Sequence, residues 1–398
     1  MDEKQCVVVG AGPAGVMFGL LLARAGVSVL VLDKHADFLR DFRGDTVHPS
    51  TLEILDELGL AERFAALKAR RSTTFSLSTD AGVAVVADLS LLRERHPYLA
   101  FVPQWDLLSL LSEEAARHPH FELRMNAEVT GLLRDGTTVT GVGYRDDKGK
   151  EHEVRARLTV GADGRGSRLR DAARMTVRDF GAPMDVAWFR LDRKHTDPVQ
   201  PYLRMSAGRL MVAINREAYW QLGYIVPKGR PVDDIPLLRQ EVADLAPYLA
   251  DRVDDLAEVS VLSVQVNRVR RWYRPGLLLI GDAAHAMSPV MGVGINLAVQ
   301  DAVAAANLLY EPLLNGTLST RHLAAVQRRR TLPTVAVQAL QLLVQRGFIA
   351  PALAGATKSR PPRALLILRR LPPAQRFLTR LIAHGLRPEH VRIPVRER

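Results

Sequence analysis

Residues 7–33 read VVVGAGPAGVMFGLLLARAGVSVLVLD. A short apolar strand, Val7 to Val9, runs into Gly10-Ala11-Gly12-Pro13-Ala14-Gly15. An apolar helical pattern then continues through Leu22 to Ala25 and stops at Gly26, a residue suited to the position just past a helix end. Val27 to Leu32 make a second strand, which ends at Asp33. This is a GxGxxG turn in strand-turn-helix-strand context. Its first glycine permits the tight turn, its second lets a pyrophosphate approach the backbone, and its third lets helix and strand pack closely. Asp33, 18 residues after Gly15, is placed to accept hydrogen bonds from a ribose hydroxyl. The unit reads as dinucleotide-binding, and FAD and NAD fit it equally.

Two further segments repeat the device. Residues 276–302 read GLLLIGDAAHAMSPVMGVGINLAVQDA: a strand from Leu277 to Ile280, a Gly281-Asp282 corner, a Pro/Gly-rich turn and a helix from Gly294. Residues 161–173 read GADGRGSRLRDAA, where a strand from Glu153 to Val160 ends at Gly161-Ala162-Asp163-Gly164 and a helix begins near Ser167. Helix N-termini carry free N–H groups and partial positive charge, so they suit anionic or electron-rich ligands. Three strands each delivering a Gly/Asp corner to a helix start predict one groove lined by Gly12, Asp163 and Asp282.

Between these corners the pattern changes. His48-Pro49-Ser50 reads as a helix start, with Ser50 as cap and Glu53 completing a capping box. Arg43 lies in the loop before it, either as a solvated charge or as a pyrophosphate contact. Residues 73–88 read as a hairpin around Asp80-Ala81-Gly82, and Pro103-Gln104-Trp105-Asp106 leads into a helix. Residues 181–267 are aromatic and strand-rich, broken by a helical stretch from Ile235 to Leu256, with a last strand over Val259 to Asn267. Trp188, Phe189, Tyr202, Trp220 and Tyr224 alternate with polar residues, so some are expected to face a cavity and the others a core. Helices follow from Gly294 to about Tyr310 and from Thr320 through Arg346.

The chain has 398 residues, 47% apolar and 24% charged, which is a globular composition. Its single cysteine, Cys6, sits in an apolar strand and excludes a disulfide framework. No metal site is expected. MDEKQ runs straight into the first strand without a leader pattern, so the expected location is cytoplasmic. The net charge of +11 is uneven: residues 321–398 hold a balance of +14, and the preceding 320 residues a balance of −3. No recognition module accompanies this basicity, so nucleic acid is not an expected partner. The basic C-terminal region reads as a helical cap with solvated arginines, the alternative being peripheral contact with a membrane or a lipophilic substrate.

The three corners resemble, in order, the signatures of the FAD-dependent aromatic hydroxylases, the single-component (group A) flavoprotein monooxygenases typified by para-hydroxybenzoate hydroxylase. GAGPAG with Asp33 resembles the ADP-binding fingerprint, Asp163-Gly164-x-x-Ser167-x-x-Arg170 the DG motif, and Gly281-Asp282 with Pro289, Gly292, Gly294 and Asn296 the GD motif. The resemblance implies an α/β fold: a Rossmann-like FAD domain of the GR2 type (1–72, 97–180 and 268–330) interleaved with a mostly antiparallel substrate sheet (73–96 and 181–267), followed by a C-terminal helical region (331–398). It implies cofactor contacts from Gly10, Gly12, Pro13, Ala14, Gly15, Asp33, Lys34, Arg43, Gln104, Val129, Asp163, Gly281, Asp282, Pro289, Gly292, Gly294, Ile295 and Asn296. Among these, Asp282 would hold the ribityl chain and Gly294 to Asn296 the isoalloxazine ring.

The implied function is an NAD(P)H-consuming monooxygenase that hydroxylates or epoxidises an aromatic or lipophilic small molecule with O2 through a C4a-hydroperoxyflavin. FAD is the resident cofactor and NAD(P)H a transient reductant, since no second nucleotide-binding unit is present. The flavin carries the chemistry, so no catalytic triad is expected. His48, His285 and Tyr224 are the polar candidates near it, none assigned as a base. The alternatives are a prenyl-lipid or polyene reductase of the same superfamily and a non-catalytic flavin-binding partner protein. A halogenase is disfavoured because Trp220-Gln221-Leu222-Gly223-Tyr224-Ile225-Val226-Pro227 lacks the second tryptophan of that motif. Oligomeric state is left open.

Overall fold

The computed structural model describes residues 2–39, 46–67, 69–355 and 371–394. The first half supplies β1 (Asp2–Val9), α1 (Pro13–Arg24), β2 (Val29–Leu32), α2 (Pro49–Glu57), β3 (Thr74–Thr79), β4 (Gly82–Asp88), α3 (Gln104–Ala116), β5 (Glu151–Gly161) and α4 (Arg168–Ala172). The second half supplies β6 (Met184–Asp192), β7 (Tyr202–Ser206), β8 (Arg209–Asn215), β9 (Tyr219–Pro227), α5 (Ile235–Leu245), β10 (Ser260–Leu262), β11 (Leu277–Leu279), α6 (Gly294–Leu314), α7 (Thr320–Val344) and α8 (Pro372–His384).

β11, β5, β1 and β2 lie side by side and parallel, and Phe121–Arg124 extends the row beyond β2. Their registers align the ends: Val9 pairs with both Gly161 and Leu32, and Gly161 pairs with Leu279. All four strands therefore release the chain at one edge. Strands covered on both faces read as unbroken apolar runs, which is why Val7, Val8, Val9 and Leu277, Leu278, Leu279 are all buried. α1 is buried along its whole middle and packs against α3 and α6. α6 is the one described helix long and apolar enough to cross a membrane, but 78% of its apolar window is buried inside the protein. It is a core helix.

A second, seven-stranded sheet has the order β10-β6-β9-β8-β7-β3-β4. Every pairing in it is antiparallel except β7 with β3. Its two faces bury different neighbours. Ala187, Phe189, Leu191, Met211, Ala213, Trp220, Leu222 and Tyr224 pack with α5 residues such as Leu238 and Val242. The alternate positions, Val186, Trp188, Leu210, Val212, Ile214 and Ile225, pack toward Val290 and Met291 and toward Ile349, Leu378 and Ile382.

Several expected boundaries move for local reasons. α2 begins at Pro49, whose fixed φ and missing N–H suit the first helical position, so His48 and not Ser50 is the cap residue. Ser50 Oγ instead accepts from Gln300 Nε2 at 3.3 Å. The helical stretch from Ile235 stops at Leu245, because Ala246 precedes a proline and turns extended (φ −137°, ψ 77°). The expected strand over Val259 to Asn267 is two short strands, Ser260–Leu262 and Asn267–Val269, in different sheets.

Candidate functional site: a groove built by three glycine corners

The three corners touch. A side chain on Gly10 would lie 2.4 Å from the Ala162 carbonyl oxygen, and the residue's φ of +100° is one that L side chains rarely adopt. The β1 corner is thus closed against the DG corner by backbone alone. The DG and GD corners are bridged by Arg165, whose Nε donates to Asp282 Oδ2 at 3.0 Å. Gly281 in turn sits against Ala14 of α1 and Ala298 of α6. One continuous edge therefore carries Gly12, Asp163 and Asp282.

Space lies over the first of these corners: a Cβ on Gly12 would meet nothing within 4 Å, and the same holds for Gly294 at the start of α6. Neither α1 nor α6 has a side chain capping its N-terminus. Two uncapped helix ends with glycine backbones facing open space fit a ligand that presents a pyrophosphate at one end and an electron-accepting ring at the other.

Each acidic corner residue has defined partners. Asp33 is buried; its Oδ2 accepts from Ala11 N at 2.7 Å and its Oδ1 from His35 N at 3.0 Å. It braces the glycine turn. Lys34 beside it is exposed. Ser167 caps α4, and Asp163 supports that cap, accepting from Ser167 Oγ at 2.6 Å and Leu169 N at 3.2 Å. Burial nonetheless holds its carboxyl above the usual range. Arg170 donates to the Arg165 carbonyl at 2.8 Å and so fixes the turn that aims Arg165 at Asp282. Val129 is buried beside this corner and accepts from Arg168 through its carbonyl at 3.3 Å. Gln104 opens α3, half-buried. Arg43 lies outside the described residues.

The loop from Ser288 to Val293, which precedes α6, is held from two sides. Gly292 (φ +61°) presses on Thr46, whose Oγ1 would be 2.9 Å from any Cβ there. Pro289 starts the turn, and Met291 holds a positive φ of 69°. Asn296 fastens α6 to α2: its Oδ1 accepts from His48 N at 2.9 Å and Thr51 Oγ1 at 2.7 Å, and its Nδ2 donates to Thr46 O at 3.3 Å. On the other side α7 presents Gln338, Gln341 and Gln345. Gln338 Nε2 donates to Asn267 O and Ala286 O, Gln341 Nε2 to Ser288 O and Val290 O, and Gln345 Nε2 to Ser288 Oγ, all between 2.6 and 3.1 Å. This ladder is not among the contacts the sequence predicts. Its signal was the spacing of three glutamines on one face of an otherwise apolar helix segment.

The three histidine and tyrosine candidates separate. His285 is buried, its Nε2 donating to Asp301 Oδ2 at 2.6 Å and its ring lying 4.9 Å from that of Trp272. Asp301 also accepts from Gly281 N and from Arg330 Nε, and Arg330 reaches Glu389. Burial opposes ionisation of Asp301, yet His285 and Arg330 hold its carboxyl below the usual range. His285 thus anchors the GD corner from behind. His48 is fully buried, donates from Nδ1 to the Ile382 carbonyl of α8 at 2.8 Å and faces the backbone of Met291 and Gly292. Burial pushes its pKa down to about 4, so it is neutral near pH 7. Tyr224 points to the α5 face, beside Glu241, where burial raises its hydroxyl pKa. It is a core residue on the far side of the sheet from the 288–293 loop.

A family model described as an FAD binding domain matches residues 3–340. The chain is 34% identical over 394 residues to the 6-methylpretetramide 4-monooxygenase of Streptomyces rimosus, covering 95% of this chain and 91% of that one. The chain belongs to the FAD-dependent aromatic hydroxylases. This flavoprotein monooxygenase spans only about 60% of several other curated relatives it matches. The solved anhydrotetracycline hydroxylase OxyS from Streptomyces rimosus superposes with a TM-score of 0.78 at 28% identity, over 96% of this chain and 76% of that one. The p-nitrophenol 4-monooxygenase PnpA from Pseudomonas putida DLL-E4 gives a TM-score of 0.83 at 20% identity, over 97% and 100%, a likeness of fold. FAD is the cofactor of the family, and the three-cornered groove fits it.

Proposed function

We propose that this flavoprotein hydroxylates a fused-ring, phenolic aromatic compound with O2, taking reducing equivalents from NAD(P)H. The observation that carries the reading is a juxtaposition: the loop that opens α6 packs, through Val290 and Met291, onto the one face of the seven-stranded sheet that also carries Trp188 and Val212. The relative at 34% identity is named for action on 6-methylpretetramide, which is the support for a fused-ring substrate.

The assignment of the groove follows its donors. The glycine turn and the uncapped start of α1 would hold the pyrophosphate, with Asp33 toward the adenine-side ribose. Asp282, oriented by Arg165, would accept from the ribityl hydroxyls. Gly294, Ile295 and Asn296 open α6, whose positive end favours negative charge in the ring system. Bound FAD supplies oxygen activation; the protein supplies position, exclusion of water and fixed dipoles. His48, neutral and buried, keeps the ring-side loop against α8. The reading divides the chain into the cofactor regions 1–72, 97–180 and 268–330 and the substrate regions 73–96 and 181–267. The basic C-terminal region is assigned no catalytic part; co-sedimentation with anionic vesicles tests whether it meets a membrane.

Purified protein should be yellow and should oxidise NAD(P)H faster, with matching O2 uptake, when a fused-ring phenol is added. Stimulated oxidation without O2 uptake would point to a reductase instead. Bound flavin with no stimulated oxidation by any fused-ring phenol would leave a non-catalytic flavoprotein and defeat the proposal.

A further inference from the structure

The substrate face of the seven-stranded sheet contains a polar atom with nothing to bond. Buried indole N–H groups normally find an acceptor, and two tryptophans here do: Trp220 Nε1 donates to Asp197 Oδ2 at 2.9 Å and Trp272 Nε1 to Val269 O at 3.1 Å. Trp188 Nε1 is equally shut from solvent and has no acceptor among the described residues. Leaving a buried donor unpaired costs about 1–3 kcal/mol, so such a group calls for a physical reason.

Position supplies one. Of the five aromatic residues in this sheet that the sequence singled out, Trp188 alone lies on the face toward the 288–293 loop; Phe189, Tyr202, Trp220 and Tyr224 pack on the α5 side. Trp188, Val212, Met291 and Leu378 come from β6, β8, the ring-side loop and α8, and converge on one apolar cluster while each stays only partly buried. Incomplete burial at this meeting point of four elements leaves apolar surface that a ligand can cover. The indole edge reaches over its cross-strand neighbour Gly223, where an added Cβ would come within 2.9 Å of Trp188 Cη2 and Cζ3 and 2.8 Å of Val212 Cγ1. The missing side chain at Gly223 is what gives the ring its place.

We infer that Trp188 is a specificity-determining residue: its ring packs against the fused rings of the substrate and its Nε1–H donates to a ketone or phenol oxygen on them. This rests on the hydroxylase reading above and adds the feature the substrate must present. Apolar contact from Val212, Met291 and Leu378 selects ring area but cannot distinguish an oxygen from a methylene. One buried donor can, because a ligand lacking the acceptor leaves it unpaired.

The test compares xanthone with xanthene, which has the same three rings without the ketone, on the FAD-loaded protein. Binding is read from perturbation of the flavin visible spectrum. The wild-type protein should prefer xanthone by about five- to tenfold, the worth of one such hydrogen bond. Trp188→Phe, with FAD content and unfolding midpoint retained, should bind the two equally. Should that variant lose FAD or unfold, indole 15N–1H spectra of the wild type decide: the Trp188 resonance should move downfield with xanthone and not with xanthene. A preference that survives Trp188→Phe, an unmoved Trp188 resonance, or failure of both compounds to bind the wild type overturns the inference. None of these outcomes touches the hydroxylase reading, which falls if fused-ring phenols fail to stimulate NAD(P)H oxidation or stimulate it without O2 uptake.

Discussion

Arg330 donates through Nε to Asp301 at 2.8 Å, and neither side chain meets solvent. Asp301 in turn holds the Gly281 amide and His285. On the far side Arg330 meets Glu389, which also takes Arg329 at 2.7 and 3.2 Å. A chain of alternating buried charges thus runs from the GD corner to a segment beyond α8.

Breaking that chain should be costly. Asp301→Asn removes the charge opposite a fully buried guanidinium, and loss of one member of a buried pair costs about 3–5 kcal/mol. Urea unfolding should show a lower midpoint with unchanged slope, and the FAD dissociation constant should rise. Wild-type values for both would separate the relay from the cofactor corner.

Asp282 stands at the GD corner with its side chain 30% exposed, held by Arg165 Nε at 3.0 Å. Asp282→Ala should give colourless protein that retains its circular dichroism in the far ultraviolet. FAD bound at wild-type affinity in this variant would remove Asp282 from the ribityl contact.

Gln341 carries the middle of the glutamine ladder, donating to Ser288 O at 2.9 Å and Val290 O at 3.0 Å. Gln341→Ala leaves those carbonyls short of a donor, at about 1–3 kcal/mol. Limited proteolysis within residues 286–292 should accelerate, and reduction by NAD(P)H should release more hydrogen peroxide per turnover. Unchanged cleavage and coupling would show that the loop holds itself.

His48 predicts a pH dependence. Its folded pKa is depressed from 6.5 to about 4 by burial, so below pH 6.5 the unfolded chain binds a proton that the folded one refuses. The stability it contributes is complete above pH 6.5 and is lost as pH falls toward 4, by at most about 3 kcal/mol. Urea midpoints measured from pH 7.5 down to 4.5 should fall more steeply for the wild type than for His48→Gln. Parallel curves would refute the assignment.

The corners were legible because each is a local event: a glycine that must adopt a positive φ, an acid at a strand end and a helix start lie within a few residues of one another. Gly10, Asp163 and Asp282 could therefore be found in the sequence and meet in the structure. The facing of the seven-stranded sheet was not. A period of two says which residues of one strand share a face, so Trp188 and Phe189 fall on opposite sides, but it says neither how Tyr224 on another strand is registered against them nor which side meets the 288–293 loop. The glutamine ladder and Glu389 were hidden for another reason. Polar residues on helices and tails read as solvated until a buried partner is known, and Glu389 meets Arg330 across 59 residues.

The relay also sets an order of events during synthesis. Glu389 follows Gly281 by 108 residues, which a ribosome takes about 5–20 s to add. For the last 59 residues of that interval Arg330 has Asp301 but not its second carboxylate, and until residue 382 is added His48 has no Ile382 carbonyl to hold. The contacts that brace the GD corner and the 288–293 loop from behind are therefore complete only once the segment that follows α8 has emerged.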